Sequence, residues 1–220
     1  MNRAALLTEL ARHLQEHPAR AVQRVLRVAI DGVDGAGKTH FADELAPALE
    51  AAGVSVIRAS VDGFHQSRVR RYERGRSSPE GFYYDSYDYD LLRQTLLTPL
   101  GPEGNGRYRA AAFDVTTDQP TDLPVQQALQ GSLLLFDGLF LHRPELRQFW
   151  DASVFLRVPF DISVPRGASR GEGYGSPDPA ATSNARYIGG QKLYFAEAQP
   201  EQHATFVVDN TDLSAPYFIR

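Results

Sequence analysis

The sequence predicts one three-layer α/β domain over residues 1–220, built on a mostly parallel sheet of about five strands. A short β-branched stretch, Val25, Val28 and Ile30, runs directly into a glycine-rich segment. An amphipathic helical pattern follows the glycines, and further short apolar runs recur at a distance along the chain. Such runs are typical of parallel strands that crossover segments bury on both faces.

Helical periodicity locates the helices around these strands. Leu7, Leu10 and Leu14 predict an N-terminal helix within residues 1–18 that packs on the domain, because the pattern stops at Pro18. A second helix is predicted over Thr39–Ala52, with Gly53 after its end. The remaining predicted elements are strands at Val54–Ala59, Leu133–Phe136, Val154–Val158 and Thr205–Val208, and a helix at Asp90–Leu97.

A segment poor in apolar anchors lies in the second half of the chain. Gly167–Asn184 is dense in Gly, Ser, Pro and Ala, which predicts a mobile loop. We expect it to belong to a small flexible lid over residues 163–186. The alternative is a surface loop without a function.

Composition limits the classes of partner. A formal net charge of -4 and a pI near 5.9 give no broad basic footprint, so we expect a small-molecule partner and neither nucleic acid nor a membrane. The absence of cysteine excludes disulfides, a thiolate nucleophile and cysteine metal sites. No signal-like segment or long apolar run appears, which favours a cytoplasmic location. Homo-oligomerisation stays open, since the sequence shows no legible interface.

Residues 32–39 match the pattern G-x-x-x-x-G-K-[ST] at every fixed position. The glycines allow successive backbone N–H groups to face phosphate oxygens, and the following helix presents its positive end. We expect Lys38 to reach the β and γ phosphates of ATP and the Thr39 hydroxyl to bind Mg²⁺. The predicted nucleotide-binding residues are Gly32, Val33, Asp34, Gly35, Ala36, Gly37, Lys38, Thr39 and His40.

This loop, taken with the Ser-Val-Asp-Gly-Phe-His run of residues 60–65, resembles the uridine kinase, pantothenate kinase and phosphoribulokinase group of P-loop kinases. The resemblance continues through residues 84–90, 136–138 and 208–210. It implies a P-loop NTPase fold and transfer of the γ-phosphoryl group of ATP to a hydroxyl of a small metabolite.

Two carboxylates are candidates for the chemistry. Asp62 lies just past the end of a predicted strand, where it could align the acceptor hydroxyl or help to hold Mg²⁺. Asp137 also ends a strand, as a Walker-B acid does, and could hold Mg²⁺ directly or through water. The related kinases usually have Glu there, and the shorter Asp favours the contact through water. Each residue could instead be a turn Asp.

Two arginines could close over the triphosphate. Arg166 and Arg170 are four apart and would share one helical face, which matches the arginine-rich lid of the related kinases. Pro165 and Gly171 depart from that pattern, because Pro disturbs a helix interior and Gly replaces an acidic residue. A solvated basic face is the alternative.

The resemblance also implies a set of acceptor contacts. Uridine or cytidine is the first expected acceptor, and pantothenate, a sugar or another riboside is the alternative. Asp118 stands where uridine kinases have His, and the basic segment 67–76 could hold an anionic acceptor or be a solvated loop. The expected contacts are His65, Tyr84, Asp85, Phe113, Asp118, Arg186, Tyr187 and Gln191.

A function of another class stays open, namely a nucleotide-binding regulator or NTPase that uses no acceptor. The N-K-x-D motif usual in guanine-specific GTPases is absent from the sequence. The preference for ATP or GTP is otherwise not fixed by the motif.

Overall fold

The computed structural model describes residues 2–21, 25–171 and 175–220. Its α-helices are α1 (Arg3–Gln15), α2 (Lys38–Ala51), α3 (Arg68–Arg71), α4 (Pro79–Asp85), α5 (Tyr89–Leu92), α6 (Pro144–Arg147), α7 (Phe160–Ala168), α8 (Ala185–Ala198) and α9 (Pro200–His203). Its strands are β1 (Val25–Gly32), β2 (Val56–Ser60), β3 (Arg107–Tyr108), β4 (Phe113–Asp114), β5 (Gln119–Pro120), β6 (Gln126–Gln127), β7 (Ser132–Gly138), β8 (Ala152–Arg157), β9 (Phe206–Asp209) and β10 (Tyr217–Phe218).

The central sheet has the strand order β10-β9-β8-β1-β7-β2. Five of these strands are parallel, and β10 runs antiparallel to β9 at one edge. The predicted α/β class and mostly parallel sheet are confirmed, with six strands instead of about five. The additional strand is two residues long, which is too short for hydrophobic periodicity to predict.

Both faces of the sheet are covered, as the apolar runs predicted. Along β1, Val25 and Ala29 belong to one apolar cluster, whereas Val28 and Ile30 belong to the cluster on the opposite face. The second cluster includes the leucines of α1, which packs against α2. The N-terminal helix therefore packs on the domain as predicted.

Several predicted boundaries shift. The helix predicted over Asp90–Leu97 is divided between α5 and a π-helical turn at Arg93–Leu97. Strand β2 begins at Val56, two residues after the predicted start. No helix in the described residues is long and apolar enough to cross a membrane.

The predicted lid region contains more helix than expected. Helix α7 continues through Ala168 with Pro165 in its interior, and a 3₁₀ turn at Thr182–Asn184 leads into α8. Asn184 is buried and holds part of the connection, because its side chain donates to the carbonyls of Ser176 and Asp178 at 2.8 Å each. The predicted loop also includes residues 172–174, which lie outside the described residues.

A buried polar network stands directly before the glycine-rich loop. The Asp31 carboxylate accepts from the Gly32 backbone N–H at 2.7 Å and lies 2.7 Å from His142 Nδ1. The other ring nitrogen of His142 lies 2.9 Å from Ser153 Oγ. Tyr194 donates its hydroxyl to Asp31, and Asp31 and His142 are almost fully buried. The network links the end of β1 to β8 and α8.

Replacing His142 with Phe should lower the free energy of unfolding. Phe keeps the ring but leaves the buried Asp31 carboxylate and Ser153 hydroxyl each without one partner, which costs about 1 to 3 kcal/mol. Urea unfolding followed by circular dichroism measures the change, and His203→Phe on the exposed surface is the matched control. Equal unfolding midpoints for His142→Phe and the unmodified chain would show that the network does not stabilise the fold.

Candidate functional site

The register of the sheet brings three functional segments to one edge. Asp137 in β7 is aligned with Ile30 in β1 and with Ser60 in β2. Because these strands are parallel, the glycine-rich loop, Asp137 and Asp62 all follow the carboxyl ends of neighbouring strands. This is the edge at which ligands bind in open α/β sheets.

The glycine-rich loop needs glycine for two reasons. Gly35 and Gly37 have φ values of 75° and 87°, in the left-handed region that favours glycine. A Cβ at Gly35 would also lie 2.0 Å from the carbonyl oxygen of Ser163 in α7. The loop is thus shaped both by its own backbone and by the helix that packs against it.

Lys38 lies folded over this loop at the start of α2. Its ammonium donates to the Val33 carbonyl at 2.9 Å, and its side chain is buried. Burial lowers the pKa of Lys38, and the nearby carboxylates of Asp34, Asp31, Asp62 and Asp137 oppose that shift. A buried ammonium beside the glycine-rich loop is suited to bind phosphate oxygens.

Thr39 and Asp137 meet beside Lys38. The Thr39 hydroxyl donates to Asp137 Oδ2 at 2.8 Å, and Arg58 donates to Asp137 Oδ1 at 3.0 Å. A hydroxyl and a carboxylate are oxygen ligands of the kind that Mg²⁺ prefers, so the two residues fit this ion. Among the described residues no cluster of three or more His, Cys, Asp or Glu could hold a metal. Mg²⁺ that is bound through few side chains keeps water and substrate phosphates as its other ligands.

One cavity of about 450 Å³ joins the glycine-rich loop to the end of β2. Its wall includes nine of the predicted site residues, namely Asp34, Lys38, Thr39, Asp62, His65, Asp137, Arg170, Tyr187 and Gln191. The other members of the loop and His40, which is exposed in the first turn of α2, do not line it. Gln191 connects α8 to the loop, because its side-chain oxygen accepts from the Asp34 backbone N–H at 2.6 Å.

Asp62 and His65 line the cavity just past the end of β2. Asp62 is exposed, and its backbone carbonyl lies 2.9 Å from His65 Nδ1. The His65 ring is 4.8 Å from the Tyr87 ring, centroid to centroid. Burial lowers the pKa of His65, and the neighbouring Asp62 opposes that shift. This part of the cavity therefore offers one accessible carboxylate beside aromatic rings.

Three other residues that were predicted to contact the acceptor lie outside the cavity wall and form hydrogen bonds within the fold. Tyr84 donates its hydroxyl to Glu197, and Asp85 accepts from Arg74 at 2.8 Å. Arg186 is buried and donates to three backbone carbonyls, including that of Ser78 at 2.9 Å. These side chains hold the α3–α4 region against α8.

Phe113 and Asp118 lie on the β4–β5 hairpin. Phe113 is buried but does not line the cavity. Asp118 has a φ of 58° and lies 3.2 Å from Arg71, a residue of the cavity wall. Asp118 therefore borders the site through Arg71.

The two arginines of the predicted lid region, Arg166 and Arg170, contact different parts of the molecule. Arg166 donates to the backbone carbonyls of Asn210, at 3.0 Å, and Thr211. Arg170 lies beyond the end of α7, lines the cavity and is 3.7 Å from the Asp34 carboxylate. Because α7 ends at Ala168, the two residues do not share one helical face.

Several cavity residues were not among the predicted contacts. Ser60 and Tyr87 had a signal, since both stand within the segments that carry the family resemblance. Ser163 and Asn184 lie inside the predicted lid region but carry no motif of their own. Val115 belongs to a hairpin that hydrophobic periodicity does not mark.

Comparison with known proteins shows the fold. No protein-family model matches the chain, and no curated protein matches it. A structure described as a possible uridine kinase from Bacillus stearothermophilus is 22% identical, with a TM-score of 0.72, and the match covers 91% of this chain and 96% of that one. D-glycerate 3-kinase from Cryptococcus neoformans is 13% identical, with a TM-score of 0.63 and coverage of 97% and 99%. Phosphoribulokinase from Rhodobacter spheroides is 15% identical, with a TM-score of 0.57 and coverage of 84% and 70%.

The chain therefore has the fold of these P-loop kinase structures, which confirms the predicted resemblance at the level of the fold.

Replacing Gly35 with Ala should disturb the loop more than a matched change elsewhere. Gly53 is the control, because its φ is 79° and nothing lies within 4 Å of its added Cβ. Gly53→Ala should lower the free energy of unfolding by only the left-handed strain of about 1 to 2 kcal/mol. Gly35→Ala should also displace the loop from Ser163 and weaken binding of Mg·ATP by more than about tenfold, as measured by titration calorimetry. Equal nucleotide affinities in the two variants would contradict the assigned role of the loop.

Proposed function

We propose that this chain transfers the γ-phosphoryl group of ATP to a hydroxyl of a small metabolite. The observation that carries the proposal is the shared cavity, which Lys38, Thr39 and Asp62 all line. ATP hydrolysis also needs a residue that orients water, but it has no need of aromatic rings beside that residue. A phosphoryl acceptor needs both kinds of group, because its hydroxyl has to be aligned opposite the leaving group.

The loop supplies electrostatic stabilisation. Its backbone N–H groups and the Lys38 ammonium would bind the β and γ phosphates, with Lys38 exchanging its contact to Val33 for a phosphate oxygen. Thr39 and Asp137 would hold Mg²⁺, which neutralises charge on the phosphates when it is bound. Arg58 keeps the Asp137 carboxylate in place through its 3.0 Å ion pair.

Asp62 would act on the acceptor. An exposed carboxylate at this point can accept a hydrogen bond from the acceptor hydroxyl and take its proton as the phosphoryl group arrives. The transition state of phosphoryl transfer is loose, so orientation of the hydroxyl matters more than strong basicity. The neighbouring rings of Tyr87 and Tyr187 would exclude water from the acceptor.

The two arginines of the lid region would contribute differently. Arg170 lines the cavity beside Asp34, which supports a contact with the triphosphate. Arg166 is held by the carbonyls of Asn210 and Thr211, so it would reach a phosphate only after releasing them. In the present arrangement, Arg166 ties α7 to the segment after β9.

The acceptor is proposed as a class of hydroxylated metabolites. Uridine or cytidine is the first candidate, which the fold likeness to a structure described as a possible uridine kinase supports. Pantothenate, a sugar or another riboside is the alternative. An NTPase without an acceptor is the competing class. Measuring ADP release with and without each candidate separates them, because a kinase requires an acceptor for fast turnover, whereas an NTPase does not.

Asp62→Asn should reduce turnover while leaving nucleotide binding nearly intact. The amide keeps the size of the side chain but cannot take the acceptor's proton, so kcat should fall by roughly a hundredfold to ten-thousandfold. The Kd for Mg·ATP should change far less. Asp122→Asn, at a highly exposed position, is the control. Initial rates of acceptor-dependent ADP release and titration calorimetry provide the two measurements.

The same variant has two alternative outcomes. Loss of nucleotide affinity together with its Mg²⁺ dependence would assign Asp62 to the metal. Unchanged kcat and unchanged affinity would leave Asp62 as a turn residue and remove the proposed acceptor-side base.

A further inference from the structure

We propose that the acceptor carries an anionic group, a carboxylate or a phosphate, and that the Arg71 guanidinium binds it. This inference rests on the proposed kinase function and narrows its substrate class: it favours pantothenate or another anionic compound over uridine and cytidine, which are neutral. The distinction between the two anions is left to the experiment, because a guanidinium binds both through paired N–H groups.

Arg71 ends the short helix α3 and sends its side chain into the cavity wall. The wall also contains Asp62, His65, Tyr87 and Tyr187. Only 14% of the Arg71 side chain is exposed. The charge therefore faces the space in which an acceptor would lie, instead of pointing into bulk water.

The Arg71 guanidinium uses only one of its nitrogens as a hydrogen-bond donor among the described residues. Its Nε is shielded from solvent and has no hydrogen-bond partner among the described residues. One terminal nitrogen donates to Asp118 Oδ1 at 3.2 Å, an oxygen that also accepts from the Arg68 backbone N–H at 2.8 Å. A carboxylate or phosphate in the cavity would pair with the terminal nitrogens of Arg71 through charge-assisted hydrogen bonds.

The surroundings of Arg71 add positive charge. Segment 67–76 contains five arginines and one glutamate, in a chain whose formal net charge is -4. Arg186 donates to the Arg71 backbone carbonyl at 2.9 Å, which places a second guanidinium close by. Burial chiefly lowers the pKa of Arg186, and the charge of Arg71 contributes to that shift. Asp118 offsets only part of this charge.

Opposite charges at the two positions would orient the acceptor. The Asp62 carboxylate repels an anion but accepts a hydroxyl proton, whereas Arg71 attracts the anion. An anionic acceptor would therefore bind with its anion at Arg71 and a hydroxyl at Asp62. A neutral acceptor would lose this orientation.

Matched pairs of acceptors test the inference. The carboxylate arm compares D-glycerate with glycerol and pantothenate with panthenol, and the phosphate arm compares ribulose 5-phosphate with ribulose. We expect the chain to have a higher kcat/KM for the anionic member of at least one pair. The arm in which this preference appears identifies the anion.

Substitutions then assign the preference to Arg71. Arg71→Met should raise the KM for the preferred anionic acceptor by roughly ten- to hundredfold, with a much smaller change in kcat and in activity with the neutral member. Arg71→Lys should restore part of the loss, because it keeps the charge but not the paired geometry. Arg70→Met is the matched control, since Arg70 is exposed and pairs with Glu73. Thermal unfolding of each variant verifies that the fold is retained.

A second readout does not depend on turnover. The preferred anionic compound should raise the thermal unfolding midpoint of the unmodified chain and of Arg70→Met, but not that of Arg71→Met. Acceptor-dependent ADP release that shows no preference for anionic members, or a preference that Arg71→Met leaves intact, would overturn the inference while the kinase function stands. ADP release that no acceptor increases would overturn the kinase function and this inference with it.

Discussion

The register of three parallel strands determines where the chemistry of this molecule can occur. Alignment of Asp137 with Ile30 on one side and Ser60 on the other places the loop, Asp137 and Asp62 at one edge of the sheet. A shift of β7 by one residue against its neighbours would turn Asp137 to the opposite face of the sheet and away from Thr39. The apolar residues that cover both faces oppose such a shift, so the core also fixes the geometry of the site.

Polar contacts then fix the segments that hydrophobic packing cannot position. The Asp31 carboxylate accepts from the Gly32 N–H at the start of the loop, and Ser163 in α7 packs against Gly35. Asn210, which follows β9, also contacts the loop, because its side chain donates to the Ala36 carbonyl at 2.8 Å. The loop is therefore preorganised before any nucleotide arrives. Preorganised donors stabilise developing charge without a reorganisation cost at the moment of reaction.

Local patterns in the sequence were sufficient to predict the fold class, the glycine-rich loop and the strands that end beside Asp62 and at Asp137. The loop motif is contiguous, and short apolar runs mark the buried strands, so both can be read without tertiary contacts. Partners distant in sequence could not be predicted in this way. Asp31 and His142 are 111 residues apart, and nothing local to either one indicates the contact. Position-by-position similarity also placed Arg186 at the acceptor, whereas its guanidinium binds backbone carbonyls outside the cavity wall.

The central claim is that one cavity holds ATP and an acceptor for direct transfer. The most direct measurement uses ATP with ¹⁸O at the γ-phosphoryl oxygens, together with the acceptor that most increases ADP release, and follows the label by mass spectrometry. The account predicts that the labelled phosphoryl group appears on the acceptor in an amount equal to the ADP formed. Label that appears only in inorganic phosphate, with the acceptor unmodified, would contradict it.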